Sequence, residues 1–171
     1  RDLPPFDRVA MDGIAIDYKS YHNGFTSFPI EDIQKAGDPS KKLLNPQSCM
    51  EVMTGAVLPI STNTVIKFED LKITDNVAMI NEKAEIKMNQ NIHFKGSDKL
   101  KGQLIISIGQ KIQTPDVGIL ASVGKAQVKV QKTPAIAIVS TGNELVEISD
   151  NVLSHQIRRS NIFAVEACLR S

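Results

Sequence analysis

The sequence has no tryptophan, two cysteines and three histidines, and its charges nearly cancel: 20 Lys and Arg against 19 Asp and Glu, a formal net charge of +1. Each scarcity removes a class of function. A balanced charge leaves no electrostatic footprint for nucleic acid or an anionic membrane surface, so any anionic ligand must be held by local groups. Cys49 and Cys168 lie far apart without CxxC spacing, and neither a secretory signal nor an Asn-x-Ser/Thr sequon is present. Together these fit a reduced, cytoplasmic setting. His22, His93 and His155 are isolated, with no HExxH and no Cys/His cluster, which argues against a zinc site. No GxSxG nucleophile elbow occurs. The longest apolar runs, such as "PAIAIV" and "LIISI", fall well short of the roughly 20 residues that span a bilayer.

What remains is the composition of a soluble globular chain. Its 171 residues, 42% hydrophobic and 23% charged, suffice for one sizeable domain or two small ones. It opens with Arg1 and stops at Ser171 inside a helical pattern in which Ile162, Val165, Cys168 and Leu169 share an apolar face. It therefore reads as a fragment of a longer protein.

From about Phe28 to Leu120 the signals are those of short strands and turns: "FPIEDIQKAGDPS", "SCMEVMTGAVLP", "NTVIKFEDL", "VAMINEKAEIKM" and "QLIISIGQKI". Apolar residues often alternate with polar ones, and Gly, Pro, Asn and Asp separate the runs. Thr114-Pro115-Asp116 supplies a helix start, with "VGILASVG" continuing to a stop at Gly124. "AQVKVQK" reads as another alternating strand. After Thr133-Pro134 the pattern changes: "AIAIVS" is a continuous apolar strand of the kind buried in a parallel sheet, and a helix is expected from about Gln156. A second, α/β-type domain is expected to begin near Pro134.

Four stretches set polar or small residues against apolar strands: "AMDGIAI", "EVMTGAVLP", "FKGSDKLKG" and "AIVSTGNEL". Asp12-Gly13 reads either as a turn, in which Asp bonds its own backbone and Gly accepts positive φ, or as a carboxylate presented at a cleft. "MTGA", with Thr54 and Gly55, has the hydroxyl, glycine and amides that can receive an oxyanion, or is simply a tight bend. "GSD", with Asp98, suits a turn as well as a site, and Lys95, Lys99 and Lys101 around it suit a solvated face. Ligands of open α/β sheets bind beyond the carboxyl ends of the strands, where Ser140, Thr141, Gly142, Asn143 and Glu144 are expected. There Gly142 lets a ligand approach the backbone, Thr141 offers a hydroxyl and Glu144 is a hard oxygen ligand suited to Mg²⁺. The bland alternative is an ordinary loop with Glu144 in solvent. "GILASVGK" is not a P-loop: five residues, not four, separate Gly118 from Gly124, and Ala126 stands where Ser or Thr would hold Mg²⁺.

Taken in order, "DLPPFDRVAMDGIAI", "EVMTGAVLP", "GILASVGKAQVKV" and "PAIAIVSTGNEL" closely resemble the molybdopterin molybdenumtransferase family (MoeA and the E domain of gephyrin). "GSD" followed by "GQLIISIGQKI" matches the family's turn and strand at the corresponding place. The resemblance runs along nearly the whole chain and implies an intact homodimeric protein of about twice this length. For this chain it implies a mostly β, irregular N-terminal domain with a partial linking domain, followed by the truncated start of a MogA-like α/β domain. Residues 1–26 would be the N-terminal segment of the linking domain, 27–112 the β-rich domain, 113–133 the linking-domain return, and 134–171 the opening of the α/β domain.

The implied activity is the insertion of molybdate into adenylylated molybdopterin with release of AMP, assisted by Mg²⁺. A molybdopterin-adenylyltransferase is implied as upstream partner. The cleft would lie between the α/β domain of one subunit and the N-terminal segments of the other. By resemblance, Asp12 and Thr54 lie on the cleft side given by the partner subunit, with Gly55 beside them. Asp98 and Glu144 match acidic positions that matter in the family; Glu144 is expected to place the cation or molybdate, with Thr141 and Gly142 near the cofactor. Val9, Ile14 and Arg159 depart from the usual Ser, Tyr and Asp or Asn; the first two are expected to adjust packing, the third to alter anion binding. The family's glycine-rich segment and its acidic residue would follow Ser171, so the 171 residues alone are expected to be inactive and to self-associate weakly at most. The alternatives are a gephyrin-type scaffold that keeps the fold with insertion secondary or lost, or a structural β domain without retained chemistry.

Overall fold

In the computed structural model, which describes residues 1–170, the chain runs through Arg8–Val9 (β1), Gly13–Ile16 (β2), a short helix Tyr18–His22 (α1), Ser27–Gln34 (β3), Cys49–Val52 (β4), Thr64–Lys67 (β5), Leu71–Thr74 (β6), Val77–Ile80 (β7) and Ile92–His93 (β8). Helix α2 (Thr114–Ser122), strands β9 (Leu145–Val146) and β10 (Ile157–Arg158), and helix α3 (Ser160–Arg170) follow. The chain divides into two compact units, Arg1–Gly124 and the residues from Lys125 onward.

The first unit is built on β2, whose four residues are all buried. It lies second in a six-stranded mixed sheet of order β5-β2-β4-β3-β7-β6, antiparallel to both neighbours, while β3 and β4 run parallel. Successive strand residues point to opposite faces. Ile14 and Ile16 therefore enter one cluster with Phe28, Ile30, Cys49, Ile66, Ala78 and Ile86, and Ala15 enters another with Val9, Val52, Ala56 and Val65. A strand covered on both sides reads as an unbroken apolar run, which is what "GIAI" is. Val9 and Ile14 are thus core residues, as their expected packing role requires.

Gly13 has a different reason for being there than a turn. Its φ is not in the left-handed region; it sits in β2, where a Cβ would come within 2.7 Å of the Ile66 carbonyl carbon and 2.8 Å of Lys67 Cα. A glycine in a strand often marks such a close backbone approach. The turn reading of Asp12-Gly13 is corrected accordingly. A true two-residue turn joins β6 to β7, where Asp75 and Asn76 both take positive φ, the geometry of the tight hairpin.

The mostly β character holds, but no strand forms between His93 and Leu145. "QLIISIGQKI", "AQVKVQK" and "AIAIVS" form no strand. Alternation or apolarity gives a segment the capacity to pair; a strand needs a neighbour that takes its N–H and C=O groups. Among the described residues none does so for these segments, and Leu104, Ile108, Ile136 and Val139 stay exposed. Helix α2 forms as expected but is capped by Gln113, not Thr114: the Gln113 side chain and Asp116 make a reciprocal capping box, with Pro115 in the first turn. Helix α3 begins at Ser160 and not near Gln156, because Ile157 and Arg158 are already paired in parallel with Leu145 and Val146.

Candidate active site

In the first unit, Asp12 and Thr54 meet across 42 positions of sequence. Asp12 lies in the bend that leads into β2; Thr54 comes just after β4, the neighbour of β2 in the sheet. One carboxylate oxygen, Asp12 Oδ1, accepts from the Thr54 backbone N–H at 2.6 Å and from its hydroxyl at 2.7 Å. The backbone donor first and the hydroxyl second hold the Asp12 carboxyl below its ordinary value, since both bonds favour the charged form. Among the described residues none donates a hydrogen bond to Asp12 Oδ2. Gly55, at φ +88°, turns the chain so that its N–H reaches the Val9 carbonyl at 2.9 Å. The Ala56 amide donates to Met53 at 3.0 Å. The amides of "MTGA" are thus spent within the protein, and they do not form the anion-receiving nest its composition allowed.

Asp98 lies in a lysine-rich turn, residues 95–101, bound to the N-terminal segment. Leu3 N–H donates to the Lys99 carbonyl at 2.8 Å, and the amides of Asp98 and Gly96 donate to Leu3 and Pro4, both at 2.9 Å. Asp7 and Asp2 accept from the Lys95 and Lys101 amides, each at 2.8 Å. The acidic residues of "DLPPFD" therefore cap a turn 88 and 99 positions away. The Asp98 carboxylate is held by His93 at 2.8 Å, and His93 in turn by Arg8 at 3.0 Å. Sequence reading passed over Arg8 and took His93 as isolated, because their meeting depends on the β1–β8 register that pairs Arg8 with His93.

In the second unit, a cavity of about 460 Å³ opens among Ser140, Thr141, Arg158, Arg159, Ser160 and Asn161, with apolar walls from Ile138 and Val165. Ser160, Asn161 and Ile162, the first residues of α3, form one side, and the first amides of a helix have no partner within the helix. Ser160-Asn161 ahead of an apolar-periodic run carries the sequence signature of a helix start. Arg159 pairs with Glu147, and among the described residues its buried Nε has no hydrogen-bond partner. Glu144 and Gly142 lie outside the cavity wall. The exposed Glu144 carboxylate folds over Gly142, whose φ is +146° and where a Cβ would come within 2.5 Å of Glu144 Oε1. Among the described residues no group of three or more His, Cys, Asp or Glu gathers to hold a metal ion.

Residues 1–124, the extent of the first unit, match the family described as the MoeA N-terminal region (domain I and II). The chain belongs to the MoeA family. It is 40% identical over its whole length to a molybdopterin molybdenumtransferase of Synechocystis sp., of which it covers 44%, and 32% identical over 94% of its length to one of Staphylococcus aureus, of which it covers 39%. The chain thus spans less than half the length of the curated relatives it matches. A crystal structure of the molybdopterin biosynthesis MoeA protein from Pyrococcus horikoshii superposes with a TM-score of 0.84 at 27% identity, covering 99% of this chain and 46% of that one. A second crystal structure of that protein gives 0.78 at 29% identity, with 99% and 44% covered. Membership of this family ties the chain to molybdenum cofactor biosynthesis and to a transferase family. Among the described residues no helix is long and apolar enough to cross a membrane.

Proposed function

We propose that the intact MoeA-family protein carrying this chain inserts molybdate into adenylylated molybdopterin and releases AMP, acting as a homodimer supplied by a molybdopterin-adenylyltransferase. The observation that carries this reading is the double hydrogen bond from Thr54 to Asp12. It joins the two motifs "MDG" and "MTG" into one unit and leaves Asp12 Oδ2 as an oriented, ionised acceptor. A preorganised carboxylate of this kind suits a site that must order water and polar groups around two anionic substrates.

The second unit's cavity suits the anionic end of such a substrate. The Ser140 and Thr141 hydroxyls and the first amides of α3 are hydrogen-bond donors of the kind that receive a phosphate oxygen. Pairing with Glu147 offsets the charge that Arg159 brings. A Mg²⁺ ion fits this donor set only as an ion that keeps most of its water and travels with substrate oxygens, because Glu144 is a single exposed carboxylate. Glu144 is the residue that would hold it, and the ion would supply charge neutralisation between two anions.

The test is AMP release from adenylylated molybdopterin by the intact protein, with and without molybdate and Mg²⁺. Molybdate-dependent release is expected, falling about 100-fold or more in Asp12→Asn and in Glu144→Gln. Full turnover in both variants would remove these residues from the site. Retained ligand without release would favour the gephyrin-type scaffold.

A further inference from the structure

An exposed aspartate ordinarily samples several rotamers, yet Asp98, with its side chain 57% exposed, is fixed from two directions. Its backbone N–H is tied to Leu3 at 2.9 Å, and its Oδ1 to His93 Nε2 at 2.8 Å, with the Ser97 hydroxyl at 3.5 Å from the same oxygen. Among the described residues none donates a hydrogen bond to its Oδ2. Stability is a poor explanation for this arrangement, because exposed ion pairs contribute little.

Arg8 settles the chemistry of the contact. A guanidinium is only ever a donor, so the 3.0 Å contact between Arg8 Nη2 and His93 Nδ1 requires a bare lone pair on Nδ1. The ring proton must then sit on Nε2, where it donates to Asp98. A doubly protonated ring would set two donors face to face at Arg8. The charged groups that face the ring are Arg8 from β1 and Asp98 from the turn; Asp2, Asp7 and Lys95 of the same two segments are engaged with one another.

We propose that His93, pinned by Arg8 in its Nε2–H tautomer, is a positioning residue that fixes the Asp98 carboxylate with Oδ1 occupied and Oδ2 turned outward as the oxygen offered to substrate or its ordered water. This rests on the reading of Asp98 as a site residue of the molybdate-inserting protein. The relay holds a proton in place and transfers none.

The experiment uses the full-length protein and molybdate-dependent AMP release, resolved into kcat and KM. Loss of the fixed orientation in His93→Leu should lower kcat about tenfold or more with little change in KM. His93→Gln, whose amide can still donate to Asp98, should recover kcat to within about threefold. Arg8→Leu leaves the ring in place and should lower kcat while converting the ring ¹⁵N spectrum from a single Nε2–H tautomer to a mixture; it reads the same prediction should His93→Leu fail to fold. A wild-type spectrum showing Nδ1–H, or full turnover in both His93→Leu and Arg8→Leu while Asp98→Asn is impaired, overturns the inference and leaves the proposed function standing. Full turnover in Asp98→Asn instead removes Asp98 from the site, and its positioning residue with it. No AMP release by the unaltered protein is a failure of the proposed function itself.

Discussion

Thr54→Val deletes one of the two donors on Asp12 Oδ1 and keeps the other, the Thr54 backbone N–H, which is the larger cause of the lowered Asp12 pKa. The Asp12 midpoint in a carboxyl NMR titration should therefore rise in the variant but stay below the ordinary 3.8. Because folding depresses this pKa, the stabilisation from the ionised group is present above 3.8 and is lost as pH falls through the lower folded value. Gly13→Ala should destabilise by about 3 kcal/mol or more in a denaturant titration, since the clash is with the backbone of β5 and cannot be relieved by a rotamer change. Cys49 is buried, and desolvation first, then Glu31 and Glu51, pushes its thiol up to about 12. It should resist thiol reagents at neutral pH in the folded protein and react once denaturant exposes it. Asp12 and Gly13 illustrate what a sequence hides at this scale. The residue types were visible, but a carboxylate bonded 42 positions away and a glycine forced by a neighbouring strand both mimic a local turn.

At the scale of elements, the N-terminal segment and the turn at 95–101 form one unit secured by two separate carboxylate caps, Asp7 on the Lys95 amide and Asp2 on the Lys101 amide. Asp2→Ala should speed hydrogen exchange at Lys101 and leave Lys95 protected, and Asp7→Ala should do the reverse. Acceleration at both sites in either variant would mean that the turn opens as a whole. These caps join segments that local pattern treats as unrelated, so "GSD" could be recognised as a turn from its residues but not as one clamped by "DLPPFD". The buried strands were legible where both faces are covered, as in "GIAI". "QLIISIGQKI" and "AIAIVS" show the limit: apolar periodicity describes a surface that suits a sheet, and whether a strand forms depends on a partner that the periodicity does not contain.

At the scale of the whole chain, both hydrophobic clusters belong to residues 1–124, which is also the extent of the family match. Among the described residues from 125 onward none is buried, and the only strand pairing there is the two-residue ladder of β9 and β10. Folding stability rests on apolar burial that offsets chain entropy, so the two units should differ sharply when produced separately. A chain of residues 1–124 should melt in a single cooperative transition and protect the amides of β2, β4 and β5 from exchange as the 171-residue chain does. Residues 125–171 alone should show no cooperative transition by circular dichroism. If the longer piece loses its transition on removal of residues 125–171, the two clusters are not self-sufficient, and β2 cannot be the element on which this fold is built.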